Sequence, residues 1–128
     1  MTSLRRPKAR EAGPDLLVLQ KWEEFCGWFL DHTGRWPKVC RFTLTQRLQN
    51  HALDVLEELV LARYETGGRD ERLRRVNLSL ERMRFLLRAA KTQNATTARG
   101  FESAVRRIDE VGRMLYGWRE ALKTRSPS

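Results

Sequence analysis

The chain has 128 residues, with 25 Lys and Arg against 16 Asp and Glu and a formal net charge of +9. The length suits one domain with its own core, and a sequence pI of about 10.5 draws it to polyanions, nucleic acid before an anionic membrane or an acidic protein. No apolar run approaches the roughly 20 residues of a membrane span, and none follows the basic N-terminus as a signal peptide requires, so the expectation is a soluble, cytoplasmic protein.

Residues 1–13 are basic, polar and aperiodic, and are expected to form a flexible arm. Pro14 and Asp15 then suit a helix start, Pro in the first turn and a carboxylate near the positive dipole end. Leu16, Leu19, Trp22, Cys26 and Phe29 follow at helical spacing to about Thr33, where Gly34 ends the run. Arg35-Trp36-Pro37-Lys38 reads as a turn, because Pro37 lacks an N–H and pushes Trp36 out of helical space. A second helix is expected from about Arg41 to Tyr64, with Leu44, Leu48, Ala52, Val55, Leu59 and Ala62 inward. Thr66-Gly67-Gly68 breaks it.

The third helix, Arg69 to Lys91, holds eight basic residues against three acidic ones. Leu73, Val76, Leu80, Met83, Leu87 and Ala90 form its seam. Thr92–Thr96 is a polar link, with Asn94 able to close one helix and Thr96 or Thr97 to cap the next. A fourth helix is expected to about Lys123, with Phe101, Val105, Ile108, Gly112, Leu115, Trp118 and Leu122 as its seam and Gly112 marking a tight crossing. Residues 124–128 are expected to be disordered. Val, Ile and Thr form no alternating runs, so no strand is expected. Four helices over residues 14–123 with short links predict an all-α, up-down-up-down four-helix bundle.

Three groups of side chains stand out. Arg74, Arg84, Arg88 and Lys91 form a basic stripe beside the seam of the third helix, suited to phosphates or simply to water. Leu78, Phe85, Leu86 and Ala89 lie nearly opposite that seam. They suggest contact between subunits, unless they are scattered surface residues or a tilt buries more of the helix. Arg35, Lys38 and Arg41 surround a turn with Trp36 and Phe42. These aromatics either stack bases beside bound phosphates or cover the end of the bundle.

Chemistry beyond binding has little to build on. Cys26 and Cys40 form no CxxC pair and read as reduced, buried thiols. His32 and His51 have no metal-ligand spacing, and no nucleophile elbow, phosphate loop or inward Glu-x-x-His appears. No catalytic residue, cofactor or metal is expected.

Three stretches in order, WPKVCRFTLTQRLQNHALDVLEELVLARY, LSLERMRFLLRAAK and FESAVRRIDEVGRMLYGW, resemble the accessory variability determinant (Avd) family of diversity-generating retroelements. Related to it are the four-helix proteins encoded in 23S ribosomal RNA intervening sequences. The resemblance covers about residues 16–123 and rests most on Pro37-Lys38 with Arg41-Phe42, on Arg84 to Arg88, and on Glu110-Val111-Gly112-Arg113. It implies a protomer of a ring-shaped, pentameric barrel without catalytic activity. Its implied partners are the retroelement's reverse transcriptase and template-repeat RNA, with DNA or an RNA/DNA hybrid also open, in support of mutagenic cDNA synthesis and retrohoming. It places Lys38, Arg41, Arg84, Arg88 and Arg113 in matching basic motifs. The Arg load of Arg69 to Arg75 and the basic arm lie outside it. Two other identities remain open at this point: an intervening-sequence protein, and a structural bundle that binds proteins but no RNA.

Overall fold

The structure, a computed structural model, describes residues 13–125. Among these the chain is helical throughout, with α1 at Pro14–Gly34, a 3-10 turn at Lys38–Cys40, a π turn at Arg41–Thr45, α2 at Gln46–Tyr64, α3 at Arg69–Thr92 and α4 at Ala98–Arg125. Each helix packs on its neighbours in sequence, and α4 closes back on α1. The links are too short for anything but reversal, so the four helices alternate in direction around one core. The expected arm lies almost wholly outside the described residues, as do residues 126–128. Helix α4 continues through Thr124 and Arg125, two residues past the expected end.

The seams of α2 and α3 are as their spacing predicts. Leu48, Ala52, Val55, Leu59 and Ala62 face Leu73, Val76, Leu80, Met83, Leu87 and Ala90, all buried, with Leu44 half-buried. Each fully buried Leu, Val or Met side chain contributes about 1.5–3 kcal/mol of transfer free energy. On α1 the seam is wider than expected. Val18 and Phe25 are buried, whereas Leu19 is only half-buried. A run of rings organises this helix, Trp22 on Phe25 at 4.5 Å, Phe25 on Phe29 at 4.8 Å and Trp28 on His32 at 4.8 Å. On α4 the buried line is Ala104, Ile108, Val111, Leu115 and Trp118, and Phe101, Val105 and Leu122 lie at its edge.

Polar groups tie the layers at fixed heights. The Trp22 indole donates to the Ala52 carbonyl at 2.8 Å, and the Cys26 thiol reaches the same oxygen at 3.5 Å. Gln49 donates to the Thr33 hydroxyl at 2.9 Å, which itself donates to the Phe29 carbonyl at 2.7 Å. Asn94 closes α3 at φ 57°. The Ala95 and Asn94 amides return to the Ala90 and Lys91 carbonyls, the paired bonds of a Schellman turn. Thr97 caps α4, its hydroxyl accepting from the Gly100 amide at 3.0 Å.

The start of α2 departs from the expected single α-helix. Pro37, at φ −54° and ψ 142°, starts a 3-10 turn that passes into the π turn. Cys40 and Thr45, five residues apart, are both buried, which is the spacing of a π turn. The expectation for Gly112 is also corrected. A Cβ there would meet the Arg84 guanidinium at 3.4 Å, ordinary contact, whereas at Gly100 it would lie 2.7 Å from His32 Cε1 and from Thr96 Oγ1. The close approach is therefore at Gly100, under the histidine ring.

Two predictions follow from this end of the bundle. Gly100→Ala lowers the thermal midpoint by the equivalent of about 1–3 kcal/mol, because the His32 ring must move. Gly112→Ala holds or raises it by up to about 1 kcal/mol through helix propensity. Calorimetry on both variants checks the contrast. Burial is the first cause lowering the pKa of both His32 and His51, opposed at His32 by Asp31 and aided there by Arg35; at His51, Arg82 and Arg47 aid it and Asp54 opposes it. A folded-state pKa below the unfolded value near 6.5 gives stability that is full above about pH 6.5 and is lost as pH falls. Unfolding free energy should thus drop as pH falls through and below about 6.5, and His32→Gln should leave the shallower slope due to His51, as read by urea titration at each pH.

Candidate nucleic-acid interface

Alternating helix directions bring the C-terminal ends of α1 and α3 to the same end of the bundle as the starts of α2 and α4. Residues 32–53 and 82–101 contain no Asp or Glu, and both segments lie at this end. The π turn packs directly against α3. The first segment carries Arg35, Lys38, Arg41 and Arg47, and the second carries Arg82, Arg84, Arg88, Lys91 and Arg99.

Most of these cations keep their charge uncompensated. Lys38 and Arg41 are exposed and form no ion pair among the described residues, and the same is true of Arg47, Arg82 and Arg99. The Arg88 guanidinium lies 4.7 Å from the centre of the Phe85 ring, and the Lys91 ammonium 4.8 Å from that of Phe101. Those contacts orient the side chains without cancelling their charge. Arg35 meets Asp31 at 3.2 Å on the surface, where such a pair contributes at most about 1 kcal/mol.

The opposite end is built differently. There Arg69 donates to the Ala62 and Arg63 carbonyls and so caps α2. Arg72 pairs with Glu58 at 2.8 Å and Glu65 at 3.4 Å, Arg63 with Asp15 at 3.5 Å, and Arg119 with Asp70 at 3.2 Å. The Arg load of Arg69 to Arg75 thus serves mainly to close the links and join helices.

That division splits the basic stripe read from the sequence. Arg74 belongs to the paired end, bound by both Nε and Nη2 to Glu71 at 2.9 and 2.6 Å. The hydrogen bond to Arg74 holds the Glu71 carboxyl below its usual range, and that to Glu71 raises Arg74. Arg84 is a clamp between helices, its Nε on Asp109 at 2.8 Å and its Nη1 on Glu81 at 2.9 Å, with 20% of the side chain exposed. Arg88 and Lys91 remain, beside Lys38 and Arg41. Arg113 is exposed on α4 and lines a cleft of about 570 Å³ with Asn77, Arg84, Asp109, Gly112 and Tyr116, a set that includes none of Lys38, Arg41, Arg88 and Lys91. Arg47, Arg82 and Arg99 were not singled out from the sequence, although the two acid-free stretches were visible there.

The expected apolar face is present. Leu78 is 46% and Phe85 59% exposed, Ala89 is exposed and Leu86 half-buried. Leu78, Phe85 and Leu86 line a groove of about 470 Å³ between α2 and α3, edged by Arg47, His51, Glu81 and Arg82. Trp36 is buried and covers the end of the core, whereas Phe42 stands in solvent at 80% exposure.

Cys26 and Cys40 are free and buried, and burial, with Glu23 nearby, pushes the Cys26 thiol up to about 12. Among the described residues, no group of three or more His, Cys, Asp or Glu could hold a metal ion, and no helix is long and apolar enough to cross a membrane.

A search of curated proteins finds no match. The model of the bAvd-like family matches residues 16–122, from the first turn of α1 to the last turns of α4. That span holds all four helices, the acid-free end and the apolar groove, and the chain belongs to the bAvd-like family.

Proposed function

We propose that this chain is a non-catalytic accessory protein of a diversity-generating retroelement, working in the cytoplasm, which binds template-repeat RNA and the reverse transcriptase to support mutagenic cDNA synthesis and retrohoming. The observation that carries the reading is the convergence of two acid-free segments at one end of the bundle. Apart from Arg84 and the surface pair of Arg35, their cations form no ion pair among the described residues, so they are available to displace counterions from phosphates. Family membership supports the identity of the RNA and the polymerase. Family membership also supports binding over catalysis. The contact to phosphate is assigned to Lys38, Arg41, Arg88 and Lys91, with Arg35 at its margin, and Arg84 holds α3 to α4.

The groove of Leu78, Phe85 and Leu86, with Ala89 beside it, is assigned to contact between copies in a homo-oligomer, a pentameric ring on the family pattern. A contiguous apolar surface of this kind on a charged helix is a feature of interaction sites. Repetition of the basic end around a ring would raise avidity for a long RNA.

Lys38→Gln with Arg41→Gln, and separately Arg88→Gln with Lys91→Gln, should each weaken binding to structured RNA several-fold and reduce the salt slope by about 1.5. Arg74→Gln, at the paired end, should leave affinity within about twofold. Filter-binding titrations at several salt concentrations measure this, and equal losses from both ends would count against the assignment. Phe85→Asp should shift the protein towards monomer in light scattering. An oligomer that survives the change would place the contact elsewhere.

A further inference from the structure

Phe42 and Val39 are 80% and 87% exposed, the most exposed large apolar side chains among the described residues. The backbone imposes this. An α-helical register extended back from Leu48 would turn Arg41 and Leu44 inward. The extra residue of the π turn brings Cys40 and Thr45 inward instead, and leaves Arg41, Phe42 and Thr43 outside. Such turns are frequent at functional sites. Two other exposed aromatics are covered by a cation of the same chain, Tyr64 by Arg63 at 5.5 Å and Phe85 by Arg88 at 4.7 Å. Among the described residues the Phe42 ring, like that of Tyr116 on α4, has no such cover and no aromatic neighbour, and of the two only Phe42 has a lysine and an arginine within four positions before it. Phe42 follows Lys38 by four positions and Val39 by three, across the 3-10 turn that runs into the π turn, so all three belong to the same pair of short turns.

We propose that this turn is a stacking site for an unpaired nucleotide, with Phe42 against the base, Val39 beside it, and Lys38 and Arg41 on the flanking phosphates. Charge selects this occupant. A protein pocket closing over Phe42 would strip water from Lys38 and Arg41, which have no ion-pair partner among the described residues, a heavy desolvation cost. A nucleotide brings a π face and a phosphate together. A duplex keeps its base faces stacked on one another and offers none to Phe42, so the site distinguishes unpaired from paired strands. The inference rests on the nucleic-acid reading above and narrows it to a class of target.

The test uses the full chain and fluorescence anisotropy with three probes of equal phosphate count: oligouridylate, oligothymidylate and a paired RNA hairpin whose loop is a non-nucleotide linker. Phe42→Ala should weaken binding to both single strands by at least about fivefold, with less than about a twofold change for the hairpin and the same salt slope. Phe42→Trp should keep wild-type affinity. Loss on oligouridylate alone would restrict the target to RNA, overturning the base-stacking account in favour of a sugar contact. Equal losses on all three probes, or none, would overturn the proposal, as would a wild-type protein that binds the hairpin but neither single strand. Wild-type protein that binds no probe at low salt would instead remove the nucleic-acid reading itself.

Discussion

Short links leave each helix no neighbour but the one reversed beside it, and that constraint decides where charge ends up. Reversal superimposes the acid-free stretch around α2's start on the acid-free stretch that ends α3. Had either link been long enough for a parallel crossing, Lys38 and Arg41 would sit near Asp15 and Asp70 rather than near Arg88 and Lys91. The same constraint gathers Asp15, Arg63, Asp70 and Arg119 at the other end, where they pair across helices. Arg63, Arg69, Arg72, Arg74 and Arg119 at that end each hold a carboxylate or carbonyl, so their charge serves cohesion. The charge of the described residues is therefore distributed by connectivity into a compensated end and a less compensated one. Only the second can do electrostatic work on a ligand.

A second constraint acts within that end. Trp36 has to enter the core behind Pro37, and α2 has to arrive with Leu48 and Ala52 facing Trp22. A continuous α-helix cannot meet both conditions over this length, and a single extra residue resolves the mismatch as a π turn. Burial of Cys40 and Thr45 is one consequence. Exposure of Phe42 is the other, so its position in solvent follows from how the core is closed.

Much of the fold was legible in the sequence because α2 and α3 repeat their apolar residues at steps of three and four with charged residues between. Where apolar residues flank the seam on both sides, spacing alone could not choose. On α1 it passed over Phe25, and on α4 it took Phe101 and Val105 for the centre of a line that runs through Ala104 and Val111. The π turn was hidden because α periodicity has no term for one extra residue. Gly112 drew attention by lying on a seam, while Gly100, whose contact is His32 sixty-eight positions earlier, gave no local sign. The basic stripe was half legible. Glu71–Arg74 and Glu81–Arg84 are visible as pairs three apart, but Asp109 meets Arg84 only once α4 folds back, and that contact moves Arg84 from the surface into a clamp.

Two kinds of attraction then meet at one turn, and they differ in range. Uncompensated cations act over about a Debye length, roughly 8 Å at physiological salt, and weaken as salt rises. Stacking on Phe42 acts only at contact and is nearly indifferent to salt. A strand would be gathered by the first and held in register by the second. Because the ring projects from a turn between two helices, its distance from Arg88 and Lys91 is set by the packing of the π turn on α3 rather than by a mobile loop. The interval between a base stacked there and phosphates gripped on α3 would then be fixed by the fold. The bundle would hold a strand at a defined spacing even where it reads no sequence.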